Sequence, residues 1–72
     1  MDIIEIEKKE TLGREEVATR LRALADALAS DDGIEFEQGG MKVKVHVPDQ
    51  VHFKVEVEVE TDERELEIEL KW

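Results

Sequence analysis

Cysteine is absent from the 72 residues. That excludes disulfides, thiolate metal ligands and cysteine nucleophiles, and fits a reducing compartment. Serine occurs once, as Ser30 beside an aspartate pair, and does not form a serine, histidine and aspartate constellation. Aromatic residues are scarce: Phe36, Phe53 and Trp72, with no tyrosine. Basic residues are outnumbered, 10 against 20 acidic, for a net charge of -10. Nucleic acid and acidic membrane surfaces demand a basic patch. Lys42, Lys44 and Lys54 are the nearest candidates, and glutamates dilute them. No apolar run approaches membrane-span length, because charge interrupts the hydrophobic stretches at every second position. These absences predict a cytoplasmic protein with no nucleic-acid partner, no membrane partner and no cofactor.

What the chain does have is periodicity. Residues 65–72, Glu-Leu-Glu-Ile-Glu-Leu-Lys-Trp, alternate charged and apolar and stop on Trp72. Alternate side chains of a strand point to opposite faces, so this segment buries one face and shows carboxylates on the other. The same period of two marks 34–38, 41–47 and 51–60. Ile4 and Ile6, alternating with Glu5 and Glu7, suggest a first strand over 2–9.

From 14 to about 30 the period changes. Val17, Leu21, Leu24 and Leu28, with Ala18 and Ala25, fall on one helical stripe. Gly13 or Thr11 can cap its start, and Glu15 and Glu16 suit the positive pole of the helix dipole. Gly33 can take the left-handed conformation that closes a helix. The chain therefore reads β-α-β-β-β-β, a single α+β domain over 1–72, with an antiparallel sheet of four to five strands and one helix packed on one face. At this size a single core is marginal and association often completes it.

Charge tests the strand registers. With Gly39-Gly40 as a two-residue turn, Phe36 faces Val43 and Ile34 faces Val45 inside, while Glu37 meets Lys42 and Glu35 meets Lys44 outside. With Asp62-Glu63 as the last turn, Val59 faces Leu66, Val57 Ile68, Val55 Leu70 and Phe53 Trp72. Outside, Glu60 then meets Glu65, Glu58 Glu67, Glu56 Glu69 and Lys54 Lys71. Like charges directly opposite oppose pairing. A salt-rich cytoplasm is the favoured expectation, because the Debye length falls to about 3 Å at 1 M; the alternative is that the glutamates simply keep the edge and face of the sheet soluble.

His46 and His52 flank the Pro48 turn. If Val47 lies opposite Val51 the two imidazoles face each other, a low-order ligand pair for a metal. Without a third firm ligand they are an incomplete zinc site, and solvated surface histidines are the favoured reading. The glutamates form a repetitive exposed row rather than a cleft that separates two carboxyl pKa values. Asp31-Asp32-Gly33-Ile34-Glu35 lacks the length and ligand alternation of an EF-hand loop. No nucleophile, cofactor motif or base is in place, and the expectation is a protein that is not an enzyme.

The helix start Leu12-Gly13-Arg14-Glu15-Glu16-Val17-Ala18, the stretch 21–28 (Leu-Arg-Ala-Leu-Ala-Asp-Ala-Leu), the strand after Pro48 and the ending from Leu66 to Trp72 together resemble the amphi-Trp domain family. The resemblance spans nearly the whole chain. It implies a small acidic domain of salt-loving archaea, named for its terminal amphipathic strand, and brings no established activity.

Four or five strands spaced about 4.8 Å apart make a sheet roughly 20 Å wide, and one helix covers about 10 to 12 Å. Much of the apolar face is left bare, and such a patch marks an interface. Phe53, Val55, Leu70 and Trp72 are the candidates for interface or core closure. The leading expectation is an interaction or structural module, a homodimer with a possible further protein partner. Two alternatives stand: a carboxylate face that mimics phosphates and occupies a basic protein, and a metal-dependent protein using His46, His52 and carboxylates.

Overall fold

The helical stripe and the two-residue turns position everything that follows. The computed structural model describes residues 5–30 and 32–72. Its elements are α1 (Arg14–Ala29), β1 (Ile34–Gln38), β2 (Met41–Val45), β3 (His52–Val59) and β4 (Arg64–Lys71).

Gly13, in extended backbone, is the N-cap of α1. It offers no side-chain cap, and its carbonyl accepts from the Val17 N–H at 3.1 Å. Glu15 and Glu16 occupy the first turn, where the dipole favours them. Ala18, Leu24, Ala27 and Leu28 are half-buried, whereas Val17 and Leu21 remain 41% and 47% exposed. The helix thus buries more of its C-terminal half, while Ala18 is the one half-buried residue of its N-terminal half. It packs against β1, which opens on Ile34, the one buried hydrophobic residue among those described.

β1 and β2 pair antiparallel in the predicted register, Ile34 with Val45, Phe36 with Val43, Glu35 with Lys44 and Glu37 with Lys42. Gly39 and Gly40 both have positive φ, 57° and 82°, as the favoured two-residue hairpin turn requires.

Other expectations need correction. Of the strand predicted over 2–9, residues 2–4 lie outside the described residues, and 5–9 form no strand. The segment is held by side chains instead. Ile6 is half-buried and shares the lining of a groove with Phe36, Val43 and Val45, Gln38 Nε2 donates to the Glu7 carbonyl at 3.0 Å, and Glu10 reaches Arg20 at 3.0 Å. Alternation buries Ile6 without demanding a ladder.

The single sheet of four to five strands is not what the structure shows. Among the described residues there are two separate two-stranded antiparallel ladders, β1 with β2 and β3 with β4. β2 ends at Val45 rather than 47, and the segment from His46 to Val51, broken by Pro48, makes no ladder. Alternation assigns faces to a strand. It does not assign an edge neighbour.

Gly33 does not close the helix, which ends at Ser30 with the Ser30 N–H donating to the Ala27 carbonyl at 3.2 Å. Gly33 instead carries φ 85° immediately before β1, and a Cβ there would lie 2.8 Å from the Val45 carbonyl oxygen. Both the left-handed backbone and the close approach require glycine. Replacement Gly33→Ala should therefore lower unfolding free energy by about 1 to 2 kcal/mol or more. Gly13→Ser, at an open extended position, should raise it by a few tenths. Denaturant titration of both variants checks the contrast.

Candidate functional site

The β3–β4 ribbon is the part of the molecule whose chemistry is least satisfied by its own chain. Among the described residues, β3 and β4 pack on each other and on no other element. Parity sends Phe53, Val55, Val57, Val59, Leu66, Ile68 and Leu70 to one face, and all but the half-buried Leu70 are exposed. Phe53 is 66% exposed, Val57 67% and Trp72, just beyond β4, 54%.

The register differs from the predicted one by two residues. Phe53 pairs with Leu70, Val55 with Ile68, Val57 with Leu66 and Val59 with Arg64. The loop is centred on Thr61-Asp62, closed by the Glu60 N–H donating to the Glu63 carbonyl at 2.8 Å. The slip reduces like-charge opposition. Lys54 now faces Glu69 instead of Lys71, and Lys71 faces His52. Two like-charge pairs persist, Glu56 with Glu67 and Glu58 with Glu65. The cost is apolar: Val59 loses Leu66 as partner, and Trp72 runs past Phe53. A two-residue shift preserves parity, so both faces keep their character.

Lys54 Nζ also meets Glu56 Oε2 at 3.1 Å along its own strand. Near the loop, Glu58, Glu60, Glu63 and Glu65 surround a cavity of about 30 Å³. This gathering was missed in the sequence because it depends on the shifted register. On α1, the exposed Arg20 guanidinium hydrogen-bonds to Glu10 and to Glu16 (3.3 Å), and these carboxylates hold its proton more firmly than usual.

The histidines come out apart from any ladder between them. His46 follows β2 and is exposed, and His52 opens β3 opposite Lys71. Since β2 and β3 belong to different ladders, the pairing of Val47 with Val51 that would face the imidazoles is not formed. His52 instead lines, with Gln50, Val51 and Trp72, an open groove of about 280 Å³. Among the described residues no three His, Asp or Glu side chains gather closely enough to hold a metal ion. No helix among them is long and apolar enough to cross a membrane.

The first hairpin carries a second apolar surface. Ile6, Phe36, Val43 and Val45 line a groove of about 380 Å³. Phe36, Val43 and Val45 were legible as an inward face. That the groove stays open was not, because it follows from the helix lying against β1 and the ribbon standing apart.

An amphipathic terminal strand, a two-sided ribbon and an exposed terminal tryptophan are now in place, and a family model for the Amphi-Trp domain matches residues 1–72. The chain belongs to the amphi-Trp domain family. Comparison with curated proteins and with solved structures finds no match. In this amphi-Trp domain the family's namesake strand is β4, and its tryptophan sits beside Val51 and His52 at the open end of the ribbon.

The facing glutamates supply a direct check on the electrostatics. Glu67→Lys places a cation opposite Glu56 and should stabilise the fold by about 0.2 to 1 kcal/mol in dilute buffer. The gain should shrink toward zero near 1 M salt, where screening removes the repulsion it relieves. Thermal melts of wild type and variant across a salt series measure both limbs.

Proposed function

We propose that this domain is a non-enzymatic interaction module of a salt-rich cytoplasm, and that it self-associates through the apolar face of β3–β4. The observation that supports this is the ribbon itself: large aliphatic and aromatic side chains lie in water along its whole length. An exposed apolar surface of this extent is the mark of an interface, and identical chains most often associate about a twofold axis.

Salt belongs to the same reading. Each chain brings a net charge of -10, so association in dilute buffer works against long-range repulsion, and molar salt screens it. A second reading draws on the paired glutamates Glu56 with Glu67 and Glu58 with Glu65. They present a dense acidic face suited to a basic protein, which salt would dissociate rather than favour.

Light scattering of the full chain at about 2 M potassium chloride should give twice the 8.3 kDa monomer mass. Ile68→Asp should return the monomer, since the interface cannot bury an unpaired carboxylate. Removing Trp72 should lower the melting temperature or weaken association. A monomer of wild-type chain at every salt concentration would overturn the proposal. Melting temperature should rise from tens of millimolar to molar salt, and a flat profile would remove the salt-adaptation part.

A further inference from the structure

From the two bare apolar surfaces of one chain we infer that the dimer forms by reciprocal ribbon exchange: the β3–β4 ribbon of each copy seats in the groove of Ile6, Phe36, Val43 and Val45 on the other. This rests on the self-association reading above and specifies its geometry.

Area comes first. The chain exposes 6920 Å², whereas a folded monomer of 8.3 kDa exposes about 4,600 Å². Roughly 2,300 Å² per chain is therefore in excess, the scale of an obligate dimer rather than of a transient contact. The radius of gyration agrees, at 14.3 Å against about 11 Å for a compact chain of this length.

Stacking ribbon on ribbon covers only one of the two bare surfaces. A face two strands wide and eight residues long measures about 10 by 26 Å, and the groove on β1–β2 would stay in water. Exchange covers ribbon and groove together.

Chemistry matches on both sides. The groove is aliphatic with one aromatic, Phe36, and the ribbon offers Phe53, Val55, Ile68, Leu70 and Trp72. Neither surface demands a charged partner. A basic protein would be drawn to the opposite, carboxylate face. With the apolar face seated inward, each ribbon's glutamates point away from the partner, the orientation that keeps two anionic chains from opposing each other.

The connection permits it. Six residues, from His46 to Val51, separate β2 from β3 and can span about 20 Å. Pro48 stiffens the middle of this short hinge. A short hinge leaves the ribbon free to reach a second copy.

The test uses unmodified chain. Equal amounts of isotope-labelled and unlabelled protein are unfolded together, refolded in about 2 M potassium chloride and examined by isotope-filtered NOE spectroscopy. Exchange requires contacts between chains from the Phe36 ring or the Val43 and Val45 methyls to the Trp72 indole or the Ile68 and Leu70 methyls. Groove–ribbon contacts found only within a chain would overturn exchange, and so would contacts between chains confined to ribbon against ribbon.

Mixing gives an independent arm. Phe36→Asp and Ile68→Asp should each weaken association about a hundredfold or more by burying a carboxylate. Mixed together they should recover part of the association, because one of the two contacts then joins an intact groove to an intact ribbon while both carboxylates fall in the other. No recovery overturns exchange. Dimer mass with failure of both arms removes the exchange alone, whereas monomer mass for wild type removes the underlying self-association.

Discussion

Strict alternation in the β3–β4 ribbon is the constraint on which the other features depend. Successive side chains of a strand occupy opposite faces. From Phe53 to Val59 and from Leu66 to Trp72 the odd and even positions therefore sort into a hydrocarbon face and a carboxylate face. The carboxylates demand water. The hydrocarbon face demands cover, and the chain's own helix, lying against β1, does not provide it.

Register shows how the two demands trade against each other. The predicted pairing maximised apolar partners, placing Val59 on Leu66 and Phe53 on Trp72. The observed one gives up both and in return sets Lys54 against Glu69 and takes Lys71 away from Lys54. Cross-strand pairs of either kind contribute about 0.2 to 1 kcal/mol, so no single pair decides. Parity survives the shift unchanged.

Different elements were legible in the sequence for different physical reasons. α1 and the β1–β2 hairpin were visible because their signals are local: a 3.6-residue stripe with acidic residues at its start, and two glycines able to adopt positive φ at a turn flanked by complementary charges. Gly33 was recognised as a residue needing left-handed backbone but was assigned to the wrong element. Its role depends on the approach of Val45, twelve residues away, which no local pattern announces. The strand predicted over 2–9 rested on Ile4 and Ile6, of which only Ile6 lies among the described residues. Ile6 is half-buried where it joins Phe36, Val43 and Val45 in lining a groove, which the alternation allows without a ladder.

By itself the sequence determined that the C-terminal half is two-sided, that a helix begins after Gly13, that Gly39-Gly40 turns a hairpin, and that the surface is strongly anionic. Each follows from residue identity and short-range geometry. Only the tertiary structure decided that the strands divide into two ladders, that the last hairpin is shifted by two residues, and that Trp72 lies by Val51 and His52. It also decided that the groove at Phe36 and the ribbon at Ile68 both stand open. Edge partners, register and coverage are set by competition among segments distant in the chain. Alternation ranks faces and is silent on neighbours.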